Sequence, residues 1–293
     1  MSSAALRKTD AANIVEGEFS FTLGDFRRIA GLLYEQAGVT LTDSKASLVY
    51  SRLAKRLRFL GLSSFIDYCA MVASPSGEDE RRAMLNALTT NVTRFYREPH
   101  HFDHLRDDVL KPALDHLRAG GRMRLWSAAC SSGQEPYSMA LTILSLLPEA
   151  PSLDIKILAT DIDTRILAQG REGLYPEDLI APIPASFRDR WMHRDTEDPR
   201  SWRIGPEARA LVTFKELNLI GHWPVSGPFD AIFCRNVVIY FDEPTQEKVW
   251  SRFIPLLAPE GHLYIGHSER VGPTVSGVRS DGLTIYRRTQ YER

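Results

Sequence analysis

The residues with the clearest chemical potential lie in a small-residue loop that ends in an acid, Cys130-Ser131-Ser132-Gly133-Gln134-Glu135. The loop follows a short apolar run and precedes a helical pattern with Met139, Ile143, Leu144 and Leu147 on one stripe. Strand, small loop and helix open a doubly wound α/β domain, whose ligands sit outside the carboxyl ends of the strands. Dinucleotide binding there takes three glycines, so that backbone amides and the helix start reach the pyrophosphate. This loop has Gly133 alone, and Glu135 repels phosphate. A carboxylate at that point suits an ammonium group, such as the amino-acid end of S-adenosylmethionine. The next apolar run ends at Asp161 and Asp163, and an acid there accepts hydrogen bonds from ribose hydroxyls. An amino group and a ribose without phosphate point to S-adenosylmethionine. The plainer alternative is a generic α/β core with a solvated acidic loop.

Several elements must position these residues. The patterns predict strands over Met123–Ala129, Asp154–Thr160, Val212–Leu219, Phe229–Cys234, His262–Gly266 and Leu283–Arg287. Helices are predicted from Gln134 to Leu147, from Thr164 to Gln169, and from an Asp242 cap to Leu257. Between 171 and 210 the pattern breaks at Pro176, Pro182, Pro184, Pro199 and Pro206. Strand-like pieces at Arg190–Arg194 and Ser201–Ile204 make this stretch a small inserted β-subdomain. Upstream, helices over Leu23–Ala37, Asp43–Leu60, Ser63 or Ser64 to Ala73, and Glu80–Leu88 form an all-helical domain of residues 19–88, behind a flexible tail of 1–18. Residues 89–120 hold a polar linker, Thr89 to Glu98, and a helix through Leu117; residues 121–293 form the α/β domain. The linker mixes many hydrogen-bonding side chains with Val92 and Phe95, as expected of a chain closing over a pocket.

A chain of 293 residues, 43% hydrophobic and 25% charged, is long enough for two cores. Its net charge of −1 argues against coating nucleic acid or an anionic membrane. Neither a signal-peptide core near the start nor a membrane-length apolar run is legible, so a cytoplasmic protein without membrane insertion is expected. Cys69, Cys130 and Cys234 are too scattered for a disulfide framework or a zinc site. Cys130 and Cys234 fall at strand ends, where small packing residues are favoured over a redox pair. Lys45, Arg52, Lys55, Arg56 and Arg58 lie off the apolar stripe of the second helix, with no acid between Lys45 and Leu62. Such a face is either solvated or turned to an acidic partner.

Five motifs in order and register, TTNVTRFYRE, WSAACSSGQEPYS, LATDIDT, FDAIFCRNVVIYF and GHSE, resemble the chemotaxis receptor glutamate O-methyltransferases of the CheR type, from about Phe21 to Arg287. The resemblance implies an N-terminal all-helical domain followed by a doubly wound S-adenosylmethionine-dependent methyltransferase domain with an inserted β-subdomain. Matched motif to motif, it implies donor contacts at Asn91, Thr93, Arg97, Glu135, Asp161, Asn218, Leu219, Arg235 and Asn236, with Arg97 and Tyr240 beside the transferred methyl group. It implies glutamates on the cytoplasmic helices of a chemoreceptor as acceptors, S-adenosylhomocysteine as product, and Arg52, Lys55, Arg56 and Arg58 as the receptor-docking face. Two positions depart from the pattern. Gln134 stands where the family commonly has an acid, which removes a charge without abolishing donor binding. His193 to Arg200 lacks the glycine of members that grip a receptor's C-terminal peptide, which argues against tethering.

The chemistry suits the residues. A glutamate, with an ordinary pKa of about 4.3, is ionised near neutral pH, so methyl transfer to it needs no general base. No nucleophile–base–acid triad is evident, and His100 and His101 read as surface or linker residues. Three other readings compete: a methyltransferase for nucleic acid or a small molecule, a non-catalytic module sensing the donor or its product, and a dehydrogenase. The first lacks an Asn-Pro-Pro-Tyr type motif at Cys234-Arg235-Asn236-Val237, and the last is disfavoured by the single-glycine loop.

Overall fold

The computed structural model describes residues 12–289. Contacts divide the chain into two compact units, one of the residues up to Thr90 with Tyr240–Asp242, the other of 91–239 with Glu243 onward.

The first unit is built on helices α1 (Leu23–Ala37), α2 (Ala46–Leu60), α3 (Phe65–Ala73) and α4 (Glu78–Leu88). Their limits follow from local chemistry. Thr22 and Asp25 form a reciprocal capping box on α1, Ser64 accepts the Asp67 amide at the start of α3, and Gly38 and Gly61 end α1 and α2 in the left-handed conformation. Two expectations are corrected. Asp43 begins a 3₁₀ turn, Asp43–Lys45, instead of capping α2. The part of the expected tail from Asn13 on is ordered, since β1 (Asn13–Val15) pairs antiparallel with β2 (Phe21–Thr22). Phe21 explains the ordering, because it is fully buried with its ring centroid 4.4 Å from that of Phe65; residues 1–11 lie outside the described residues. Tyr240–Asp242 completes this unit: Tyr240 O accepts from Thr40 N at 2.8 Å, Phe241 bridges Val39, and Asp242 accepts from the Tyr34 hydroxyl at 2.8 Å.

The second unit is a seven-stranded sheet in the order β11-β12-β10-β9-β3-β4-β8, comprising β3 (Arg122–Ala128), β4 (Asp154–Asp161), β8 (Val212–Glu216), β9 (Phe229–Cys234), β10 (Leu257–Ile265), β11 (Val278–Gly282) and β12 (Ile285–Arg288). The strands from β10 to β8 pair in parallel, and β12 and β11 are antiparallel. The chain enters at central β3, turns outward to β4 and β8, then returns to β9 on the other side. The switch point therefore lies where β3 and β9 end, the place where open α/β sheets bind ligands. Helix Gln134–Leu146, buried along almost its whole length, follows β3.

The insertion holds more structure than its sequence indicates. Its sheet has three strands, ordered β5 (Leu174–Pro176), β7 (Ser201–Ile204), β6 (Met192–Arg194), with helices Ala185–Trp191 and Pro206–Leu211. The preceding helix runs on to Glu172 and stops at left-handed Gly173. Where a glycine turn was sought, Asp195 accepts the amides of Glu197 and Asp198, both at 3.1 Å, and holds the β6–β7 hairpin instead. The helix after the linker is also interrupted, by a π-helical segment at Leu105–Leu110. Strand β11 was missed because its side chains are mostly exposed.

The basic face of α2 is partly spent inside the first unit. Arg52 Nη1 donates to the carbonyls of Ala87, Leu88 and Thr89, Arg56 forks onto buried Glu80, and Arg58 pairs with Glu18 at 2.8 Å. Tyr68 donates to the same Glu80. Arg56→Ala should lower unfolding stability by about 1–3 kcal/mol, less than for a fully buried pair because Arg56 is partly solvated. Lys55→Ala should stay within about 0.5 kcal/mol. Urea denaturation checks both.

Candidate active site

The helix start after β3, the linker and the end of β9 converge on one buried arginine. Arg235, the residue after β9, has a side chain 2% exposed. Its Nη1 donates to Glu135 Oε2 at 3.2 Å, its Nη2 lies 3.4 Å from Glu98 Oε2, and Nη2 also donates to the Arg97 carbonyl. Glu135 is held from its other side by Ser127 Oγ at 2.7 Å. Burial pushes the Glu135 carboxyl above its ordinary range, against the pull of Arg235 and Ser127. Burial acts on Glu98 in the same direction, but Arg235 and the two hydrogen bonds from His267 outweigh it and hold Glu98 below that range. The Arg97 guanidinium also acts on Glu135, so two positive groups face the two carboxylates.

Asp161, at the end of β4, braces the small-residue loop. Its Oδ2 accepts from Ser131 N at 2.8 Å and its Oδ1 from Asp163 N at 3.0 Å. Because it is buried, its carboxyl is pushed up to about 6 despite these amides. Asp163 caps the next helix through the amides of Arg165 and Ile166 and takes Asn91 Nδ2 at 3.1 Å, while Ser131 Oγ donates to the Asn91 carbonyl. Asn91 thus ties the linker to the loop. Arg97 is partly buried, with Nη1 on the Val92 carbonyl at 3.1 Å, and Thr93 stands half-exposed between them. Asn218 Oδ1 accepts the Ile220 amide, and the Leu219 carbonyl takes Trp223 Nε1 and Arg252. Asn91, Thr93, Arg97, Glu135, Asp161, Asn218, Leu219, Arg235 and Asn236 all belong to the second unit. Tyr240, 36% exposed, belongs to the first.

Backbone strain is concentrated at these loops. Tyr96, Glu98, Ala129, Ser131 and Asn236 all have φ between 50° and 62°, a region costly for residues with a Cβ. At Asn236 the cause is visible. Glu269 Oε2 accepts the amides of Asn236 and Gly266 at 2.9 and 2.6 Å, and Oε1 accepts those of Val237 and Val238 at 2.9 and 2.8 Å. One carboxylate, 5% exposed, thereby fixes the turn that carries Arg235 and Asn236. Gly266 is required there, since a Cβ would lie 2.8 Å from the Asn236 backbone N. Glu269, Glu98 and Ser127 lie inside the GHSE, TTNVTRFYRE and WSAACSSGQEPYS motifs, but the sequence assigns none of them its role as a brace or partner.

His101 is corrected. It is fully buried against Tyr264 and Phe233, with Nε2 2.8 Å from Thr284 Oγ1, and burial lowers its pKa to about 3, so it packs the core as a neutral ring. Its neighbour His100 is half-exposed and reaches the Leu283 carbonyl. Cys69, Cys130 and Cys234 are buried free thiols. Burial pushes Cys69 up to about 11 and the other two well above the ordinary value, as suits packing residues.

Residues 91–281 match the family described as CheR methyltransferase, SAM binding domain, and residues 24–89 match CheR methyltransferase, all-alpha domain. The chain belongs to the CheR methyltransferase family. A probable chemotaxis protein methyltransferase of Rhizobium etli is 54% identical over 88% of this chain and 97% of its own. Chemotaxis protein methyltransferase 2 of Pseudomonas aeruginosa is 44% identical, over 92% and 94% of the two chains. The Escherichia coli chemotaxis protein methyltransferase is 42% identical over 89% of each. This CheR methyltransferase is therefore an S-adenosylmethionine-dependent enzyme, and its donor set fits the cofactor. The Glu135 carboxylate at the start of the helix after β3 suits a cationic group, the Asp161 carboxylate retains acceptor capacity for hydroxyls, and no glycine-rich phosphate cradle is present in the loop after β3.

Two expectations follow for this CheR methyltransferase. If Asp161 holds the ribose hydroxyls, which favour its ionised form, donor binding should expel a proton below about pH 6, and the dissociation constant should rise up to about tenfold per pH unit on acidification. Without donor, a folded pKa above the unfolded one means that the Asp161 contribution is fully present below about pH 4 and is lost as pH rises through about 6. Calorimetric titration with donor from about pH 7 to about pH 5 reads the first effect. Glu269→Gln, whose oxygen can still accept two of the four amides but whose NH2 faces the other two and accepts neither, should cost about 2–4 kcal/mol of stability, read by urea unfolding, and should weaken donor binding in the same titration.

Proposed function

We propose that this enzyme transfers the methyl group of S-adenosylmethionine to glutamate side-chain carboxylates on the cytoplasmic helices of methyl-accepting chemoreceptors, acting in the cytoplasm. The observation that carries the reading is the buried Glu98–Arg235–Glu135 group, with Glu135 at the start of the helix after β3, in a chain whose relatives are named chemotaxis protein methyltransferases. Among the described residues no helix is long and apolar enough to cross a membrane, in keeping with action on the receptor's cytoplasmic part.

Bound at these loops, S-adenosylmethionine supplies an electrophilic methyl carbon on a sulfonium. The protein's tasks are then binding, orientation and exclusion of water. Glu135 balances the ammonium end and Asp161 the ribose, with Asn218, Leu219 and Asn236 shaping the rest of the pocket. Arg97 uses one nitrogen internally, on the Val92 carbonyl. Its remaining donors orient the acceptor carboxylate, leaving one oxygen free to attack. In this reading Tyr240 supplies an aromatic ring for the sulfonium charge, an attraction of about 0.5–2 kcal/mol. Because the acceptor is already an anion, no base is required, and alignment supplies the acceleration. Lys55 carries the receptor contact in this reading, with Arg58 joining it by exchanging its exposed Glu18 pair, since Arg52 and Arg56 are engaged in less exposed contacts within their own unit.

Incubation with labelled donor and receptor-containing membranes should give label on receptor glutamates that mild alkali releases as a methyl ester. Alkali-stable label, or none alongside tight donor binding, would overturn the reading. Arg97→Ala should cut turnover roughly hundredfold with a much smaller change in donor affinity. Asp161→Asn should mainly weaken donor binding. Equal loss of binding in both variants would contradict the division of roles.

A further inference from the structure

On the antiparallel side of the sheet, two departures from regular structure meet. The helix His100–His104 passes into its π-helical segment immediately after His104. In β11 the register shifts between Ser280 and Gly282, so Asp281 is the extra residue of a bulge. Bulges re-aim side chains, and π segments recur at functional sites. Here the bulge sends the Asp281 carboxylate past β12 to His262 on β10, with Oδ2 3.1 Å from His262 Nε2 and 4.0 Å from His104 Nε2. One ligand atom from each of the three residues lies within 4.8 Å of the others.

We propose that His104, His262 and Asp281 form a site for a divalent transition cation of the zinc type, with water completing the coordination. Two imidazoles and one carboxylate are a borderline-soft donor set that suits zinc better than magnesium or calcium. The first ring is already oriented for this. His104 Nδ1 is engaged by the Tyr264 hydroxyl at 2.9 Å, which turns Nε2 toward the cluster, as second-sphere partners of ligating histidines do. The side chains are 14%, 6% and 24% exposed, sheltered yet reachable from solvent. Arg287 on β12 is the opposing charge nearby. It is paired with Glu260 at 2.9 Å, and Asp108 adds a negative field on His104 from the π segment. None of the three ligands belongs to the donor-binding loops, so the site would pin the sheet edge to the helix independently of methyl transfer.

The test uses the full chain, stripped with a chelator and titrated with zinc chloride, with cobalt(II) as the spectroscopic substitute. One zinc per chain, cobalt absorption of the tetrahedral kind, and a melting temperature raised by zinc are expected. Asp281→Asn and His262→Gln should each lower zinc affinity at least about tenfold, and Tyr264→Phe, which keeps all three ligands, by about the same factor. His222→Gln, at an exposed histidine elsewhere, should leave affinity unchanged, and donor titration verifies that each variant is folded. Absence of stoichiometric zinc binding, or equal affinity in wild type and Asp281→Asn, would reduce the cluster to a His262–Asp281 hydrogen bond and overturn the proposal.

Discussion

The second unit depends on keeping Arg235 charged and out of water. An isolated guanidinium in that position would cost several kcal/mol, so its neighbours have to be anions. Glu135 comes from the helix after β3, Glu98 from the linker, and Arg235 from the end of β9, so three distant segments are drawn to one point. Arg97 adds a second positive charge that acts on Glu135, yet burial still raises the proton affinity of that carboxyl. A cationic ligand beside Glu135 would favour its ionised form.

That pattern sits on backbone held in uncommon conformations. Left-handed residues cluster in the linker, in the loop after β3 and in the turn after β9, and each is secured by bonds from elsewhere: Asp161 to the Ser131 amide, Ser138 Oγ to the Tyr96 amide, Glu269 to the amides from Asn236 on. Asp161 and Glu269 therefore shape the site through the main chain. Removing either lets several backbone groups relax together.

What was legible in the sequence was local. The strand, small loop and helix around Gly133, the caps at Ser64 and Gly38, and the apolar strand Phe229–Cys234 are specified by near neighbours, and the structure has them. The Arg235–Glu135 contact spans 100 positions, and no short-range rule announces it. His101 misled because a His-His pair after a proline reads as surface, whereas the helix turns the second ring into the core. The β-insertion hid two helices among prolines that open or precede helical turns, and Asp195 took over the role a glycine usually has in the hairpin. The basic stripe on α2 was visible, but its consumption by Glu80 and by the α4 carbonyls was not.

The short segment Tyr240–Asp242 has a bearing on how the chain comes to be folded. It supplies the acceptor for Thr40 N, the bridge to Val39, and the acceptor for the Tyr34 hydroxyl 208 positions earlier. During synthesis, when domains generally fold from the amino end first, the helical unit emerges long before those three partners do. Its four helices have their own core, but the strand-like stretch after α1 waits for most of the second unit to be made. The first unit is thus the first to form and among the last to be finished, and a fragment cut at Thr90 would carry an unpaired edge at Val39 and Thr40 that the whole chain does not have.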